Sequence, residues 1–316
     1  MLKIFVYLPV CIWLLSSCTS AIKNDNTSAP DEVPGTQSTS GTNQVGYHGN
    51  NNLVVENESD LTGYWVGMFE PDTDIRMEGV YTGEKHAWDY SNKINISIDE
   101  IKDQQVKGHS VVAGNNRPFA GKITKTPNGF AFQLNEPGDD KYDGVFIFTV
   151  NTGDSTLQGI WRANKKIRIS SRKYSLTKKI FRYNPDWQMN EGGYVDWTRK
   201  KRALNEVEGE MVYDDSYFTT SGDVLKYNAS KELLTKAQVS NLKKADLFVM
   251  RNAIYARHGY SFKNQQLRAY FDGQPWYIPV STDVKAEFTE IEKKNIELLL
   301  RYEKNAKEYY DVFGRG

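Results

Sequence analysis

Thiols and imidazoles are scarce in this chain of 316 residues, which holds 2 cysteines and 4 histidines. Cys11 lies inside the first apolar run and Cys18 closes it, so a chain cut between them keeps a single cysteine, its thiol capped if lipidated. That excludes a disulfide framework, a Cys-ligated zinc and a thiol nucleophile. His48, His86, His109 and His258 show no metal-ligand spacing, and Glu84-Lys85-His86 is too thin a cluster to hold zinc. No metal and no other cofactor is expected. A Gly-x-Ser-x-Gly elbow, a phosphate loop and a dinucleotide fingerprint are all missing, which removes the usual sequence grounds for an enzyme. Excess charge of one sign is missing too: 40 Lys and Arg balance 40 Asp and Glu. Such a chain has no global field to draw it onto nucleic acid.

What is present begins with Lys3 and the apolar run from Ile4 to Leu15, which ends in Ser16-Ser17-Cys18. The run reads as a secretory signal, too short and wrongly flanked to stay as a membrane span. Leu15-Ser16-Ser17-Cys18 resembles the bacterial lipobox. That resemblance implies cleavage after residue 17 and a diacylated, palmitate-type anchor on Cys18. Thr19 is not the aspartate that favours inner-membrane retention, so an outer-membrane lipoprotein is expected. Residues 18–59 then read as lipidated cysteine and tether, dominated by Ser, Thr, Asn, Gly and Asp. As a flexible coil it spans about 35 Å root-mean-square.

Aromatics are generous, with 19 Tyr, 14 Phe and 7 Trp. Many fall in short alternating runs between 60 and 183, such as GYWVGMF, KINISID, GFAFQL and DGVFIFTV, separated by TPNG, EPGDD and NTGD. This pattern predicts an antiparallel barrel or sandwich. Gly63-Tyr64-Trp65 is similar to the Gly-x-Trp opening of lipocalin-like barrels. There the tryptophan closes one end beneath a late-strand arginine, a role open here to Arg168 or Arg172; a tryptophan filling an ordinary β core is the alternative. Residues 162–182 hold nine Lys and Arg and no acid. Lys166, Arg168, Ser170 and Arg172 alternate with Ile167 and Ile169 as on the wet face of a strand, and anionic lipid is the rival reading.

Residues 184–230 read as a connector, with extended segments at EGEMVYDDSYF and GDVLKYNAS and a short helix at TRKKRALNEVEG. Helical periodicity takes over in 231–316, so the predicted class is α+β with two domains, the second small and all-α. Leu242, Ala245, Val249, Ala253 and Ala256 form one stripe of a helix starting near Thr235, and Gly259 falls at its left-handed C′ position. Arg257 and His258 occupy its last turn, while Arg251, Tyr255 and His258 share a face. The last segment places Phe288, Ile291, Leu298, Leu299, Tyr302 and Tyr309 on one stripe, with Glu290/Lys294, Glu297/Arg301 and Glu303/Lys307 pairs on a solvated face.

The stretch RNAIYARHGYSF, residues 251–262, resembles the YARHG domain of bacterial secreted and surface proteins. Arg251, Asn252, Tyr255, Ala256, Arg257, His258 and Gly259 carry the match, with Tyr270, Phe271, Trp276, Tyr277 and the Glu292–Asn295 spacing. Ala253 departs from it, since the family commonly has an acid there. The resemblance implies an extracytoplasmic helical module without a defined activity. The motif residues are read as a structural network or a recognition site, and none as catalytic. The expected protein is therefore a non-enzymatic envelope lipoprotein that binds or scaffolds. The alternative is a carrier of a small apolar ligand in the barrel. The expected partners are the membrane through the lipid anchor and an envelope protein or glycan, not nucleic acid.

Overall fold

The computed structural model describes residues 53–72, 91–190 and 193–306, apart from a few side chains of one hairpin. Cys11, Cys18, His48, His86 and Tyr309 lie outside the described residues, as do the signal and most of the tether.

Alternation in the first half produces eight strands. They are β1 (Gly63–Pro71), β2 (Asn92–Lys102), β3 (Gln105–Val112), β4 (Asn115–Thr126), β5 (Gly129–Asn135), β6 (Gly144–Asn151), β7 (Thr156–Ala163) and β8 (Ser171–Lys179). Each pairs antiparallel with the next, and β8 returns to β1, with Trp65 opposite Lys178, to close a barrel. Closure removes both sheet edges. Inward positions carry Trp65, Phe69, Ile94, Ile96, Phe119, Phe132, Phe146, Phe148, Trp161, Tyr174 and Leu176, all buried in one cluster. Their rings touch across the lumen: Phe132 stacks on Phe148 at 4.5 Å, and Phe69 lies 5.8 Å from Trp161. A carrier would need space at the positions these rings fill.

The barrel reaches further towards the N-terminus than the expected start at residue 60. Val55 is fully buried in its core, and its main chain pairs with Gly153 and Asp154. A single 3-10 turn, Glu58–Leu61, then seals the base, where the indole of Trp65 donates to Leu61 O at 3.0 Å. The cation above Trp65 is Lys178, 5.9 Å from the ring and bonded to Asp60 O. It is neither Arg168 nor Arg172. Arg172 instead lies 5.0 Å over Phe69 and donates to Phe69 O. The expected strand from Lys166 to Arg172 is mostly the β7–β8 loop, because Ala163 N bonds Ser170 O and closes a hairpin there.

The connector is a folded element. TRKKRALNEVEG is not a helix but most of β9 (Val195–Val207) and its turn into β10 (Glu210–Thr219). Glu208 and Gly209 both have positive φ, 54° and 85°, the geometry of a type I′ turn, which overrides the local helix propensity. Met189, Tyr194, Val224 and Ala229 join the core of the helices that follow.

Those helices are α1 (Lys236–Val239), α2 (Lys244–Arg257), α3 (Gln265–Phe271) and α4 (Glu290–Asn305). The single helix expected from Thr235 is two: Thr235 caps α1, and the chain breaks before α2 restarts at Lys244. Leu242, Ala245, Val249, Ala253 and Ala256 are all buried, as is Ile254 on another face, so α2 is the central helix of the module. Ile291 is exposed, while Glu292, Asn295 and Leu299 face inward, so the stripe of α4 sits one step away from its purely apolar reading. The module docks beside β2 and the β3–β4 turn. Lys93 donates its amide to Asp272 and its ammonium to Gln274 O and Tyr277 O, and Gly114 N donates to Ser261 Oγ.

Candidate functional site

The Tyr255–Gly259 motif ends α2 with both bonds of a Schellman cap. Gly259 N donates to Ala256 O at 2.9 Å, and Tyr260 N to Tyr255 O at 3.0 Å. Gly259 has φ +75°, and a Cβ there would meet Val280 Cγ2 at 2.4 Å. Its carbonyl accepts from Val280 N and Ser281 N, so the cap also anchors the segment that lies on the barrel. Glycine is required at this position twice, by conformation and by space.

Glu292 is the hub of the surrounding network. Thr289 N and His258 Nε2 share its Oε2, at 3.0 and 2.8 Å, and Tyr183 OH donates to Oε1 at 3.0 Å. The Thr289 bond belongs to a reciprocal capping box that starts α4, so one carboxylate caps one helix and clasps the end of another. Burial alone would raise the Glu292 pKa, but bonds from His258, Thr289 N and Ser230 outweigh it and hold it below the ordinary value. His258 is sandwiched, stacked on Tyr183 at 4.1 Å and edge-on to Phe288 at 5.2 Å. Its side chain is 4% exposed, and that of Glu292 0%. A general base needs a substrate proton within hydrogen-bond reach, and this imidazole is enclosed by its neighbours.

Both arginines also turn inward. Arg251 makes a two-pronged pair with Glu303 of α4, at 2.8 and 3.2 Å. Arg257 donates to Trp187 O at 3.0 Å and to Ser230 Oγ at 3.3 Å, and burial pulls its pKa down to about 10. Asn252 donates to Phe248 O within α2, and Ala256 lies in the core. The face of Arg251, Tyr255 and His258 is therefore the face towards α4 and the turn before it. Tyr255 packs on Phe288 and Tyr260, whereas Phe271 and Trp276 meet each other elsewhere. Tyr270 is buried, and half-buried Trp276 stacks on Trp187 and donates its indole N–H to Gln188 O.

Sequence reasoning paired Glu303 with Lys307, which lies outside the described residues, and missed the Arg251, Glu292 and Asn295 partners. Asn295 is fully buried, donating to Ala229 O and Glu232 O and accepting from Leu234 N. The signal available for Glu292 was Thr289-x-x-Glu292, a capping-box spacing; nothing local marks Tyr183. Elsewhere, His109 Nδ1 meets Asp99 Oδ2 at 2.7 Å and Ser97 donates to the same carboxylate. The acid stands between serine and histidine, so this is not a nucleophile–base arrangement. Among the described residues, no group of three His, Cys, Asp or Glu is placed to hold a metal.

Two clefts open beside these helices. One, of about 230 Å³, lies between β9 and α2, with Asp196, Arg199, Lys244 and Glu303 in its wall. The other, of about 410 Å³, lies between the base of the hairpin and α3. It is lined by Asn190, Trp197, Tyr217, Gln266, Tyr270 and Gln274, among others.

Neither the curated proteins nor the solved structures give a match to this chain. Residues 223–304 do match a family model, that of the YARHG domain, so the helical module that follows the hairpin carries the likeness announced by Tyr255–Gly259.

Proposed function

We propose that this protein is a non-enzymatic binding or scaffolding module of the cell envelope, held at the outer membrane by lipid on Cys18. The observation that supports this reading is where the chemistry of the motif goes. Arg251, Asn252, Arg257 and His258 are each engaged inside the fold, which leaves the larger cleft as open recognition surface. Its rings and amides suit a neutral, partly apolar ligand such as an envelope glycan or a protein segment. A ring-filled barrel supports the scaffold over the carrier.

A photo-crosslinking side chain at Gln266, in intact cells, tests the reading. It should capture one envelope component, and Trp197→Ala should abolish capture while the melting temperature stays unchanged. Cys18→Ser should release the chain from the membrane fraction. Capture that ignores Trp197, or a Cys18→Ser protein that still carries fatty acid, would overturn the corresponding half of the proposal.

A further inference from the structure

The β9–β10 hairpin runs beyond the module with large apolar side chains in water. Leu204, Met211 and Tyr213 share one face and are 49%, 59% and 64% exposed; Val207 and Val212 on the other are 53% and 46% exposed. Helix α3 borders only its base, and the two strands form a sheet of their own. A two-stranded ribbon with open edges is marginal in water, and each edge offers unpaired main-chain groups to another strand.

The turn decides which groups are offered. In a two-residue type I′ hairpin the flanking residues, Val207 and Glu210, exchange main-chain bonds, and so do alternate pairs behind them. The main-chain groups of Lys200, Arg202, Leu204 and Glu206 therefore point to the open edge of β9. Their side chains run from basic to acidic along that edge. Arg202 is held on its face by Asp215, at 2.9 and 3.3 Å, and by the Tyr213 ring at 5.2 Å.

We propose that two copies of this chain pair here, β9 to β9 and antiparallel, about a two-fold axis at Leu204. In this register Leu204 faces its own counterpart, and each Arg202 faces the Glu206 of the other copy, giving two opposite-charge pairs and a closed dimer. Arginine has five donors, so Arg202 can bridge Glu206 without leaving Asp215. The β10 edge has no such complement, since residues 210–219 contain acids and no Lys or Arg. A membrane surface fits the tip poorly, because Glu206, Glu208 and Glu210 surround it and anionic headgroups repel them. This inference is independent of the function proposed above.

Cysteine crosslinking of the full-length chain in detergent tests the register, because only a residue on the axis meets its own copy. Under mild oxidation Leu204→Cys should form a disulfide-linked dimer, whereas Ser216→Cys should not. The unsubstituted chain measures any background from Cys11 and Cys18. In sedimentation equilibrium, Arg202→Glu and Glu206→Arg should each weaken the dimer by about tenfold or more. The double exchange should restore most of the affinity. A monomer that Leu204→Cys cannot link would overturn the proposal and leave a foreign strand as the occupant of this edge. Equal linking at 204 and 216, or a double exchange as weak as either single one, would overturn it as well.

Discussion

Gly259 concentrates more constraints than any polar residue beside it. Its left-handed φ favours glycine, and Val280 occupies the space a Cβ would need. A β-branched side chain there adds backbone strain of about 1–3 kcal/mol before any clash is counted. His258 is just as buried, yet glutamine in its place keeps a donor that reaches towards Glu292, so the carboxylate need not lose its partner. Denaturant unfolding should therefore show Gly259→Val losing more stability than His258→Gln. The reverse order would mean that the imidazole, not the cap, holds the ends of α2 and α4 together. The Gly259 cap was legible in the sequence because it depends on residues adjacent along the chain. The Glu292 hub was not, because its Tyr183 and His258 partners are distant in sequence and met only through packing.

Legibility at the scale of elements follows the same division. Barrel strands and α4 announce themselves by period, while TRKKRALNEVEG reads as helical locally and becomes β9 through its turn and its pairing with β10. Polar side chains defeated the α4 stripe: Glu292 and Asn295 face inward because their bonds are satisfied there, a fact no hydropathy pattern carries. The joint between β2 and α3 was equally hidden and has a testable pH signature. Burial, against the pull of Lys93, pushes the Asp272 pKa from 3.8 up to about 6. Between those values the folded protein holds a proton that the unfolded chain has lost, so this acid's contribution falls as pH rises from about 4 to 6. Lys93, lowered from 10.5 to about 8 mainly by burial, acts oppositely and restores stability as pH climbs through that interval. The melting-temperature difference between the native chain and Asp272→Asn should shrink from pH 4 to 6 and then level off to pH 8. A constant difference across that range would place Asp272 in open water.

For the whole molecule, the question is whether barrel and helices are separable. Each has its own core cluster, yet Val66, Val111 and Ile278 are buried outside both. Val66 and Val111 flank Asn95 across the strands, on the wall whose Lys93 reaches the module. Asn95 is fully buried there, and neither its Oδ1 nor its Nδ2 has a hydrogen-bond partner. An unpaired buried amide costs about 1–3 kcal/mol, and we expect that penalty to lapse when the module that bonds Lys93 on this wall is removed. Residues 53–182 alone keep the closed sheet, the 3-10 plug and the lumen rings, so they should fold with β-type circular dichroism and a cooperative melt. Their melting temperature should lie below that of the full chain, because Val66 and Val111 lose their cover. Asn95→Val separates the two effects. It should stabilise the full chain by about 1–3 kcal/mol, and in the fragment it should do little or cost slightly, since water already satisfies the amide. Equal stabilisation in both would show that Asn95 is enclosed by the barrel itself. A molten fragment would show that the helices complete the barrel instead of docking on it.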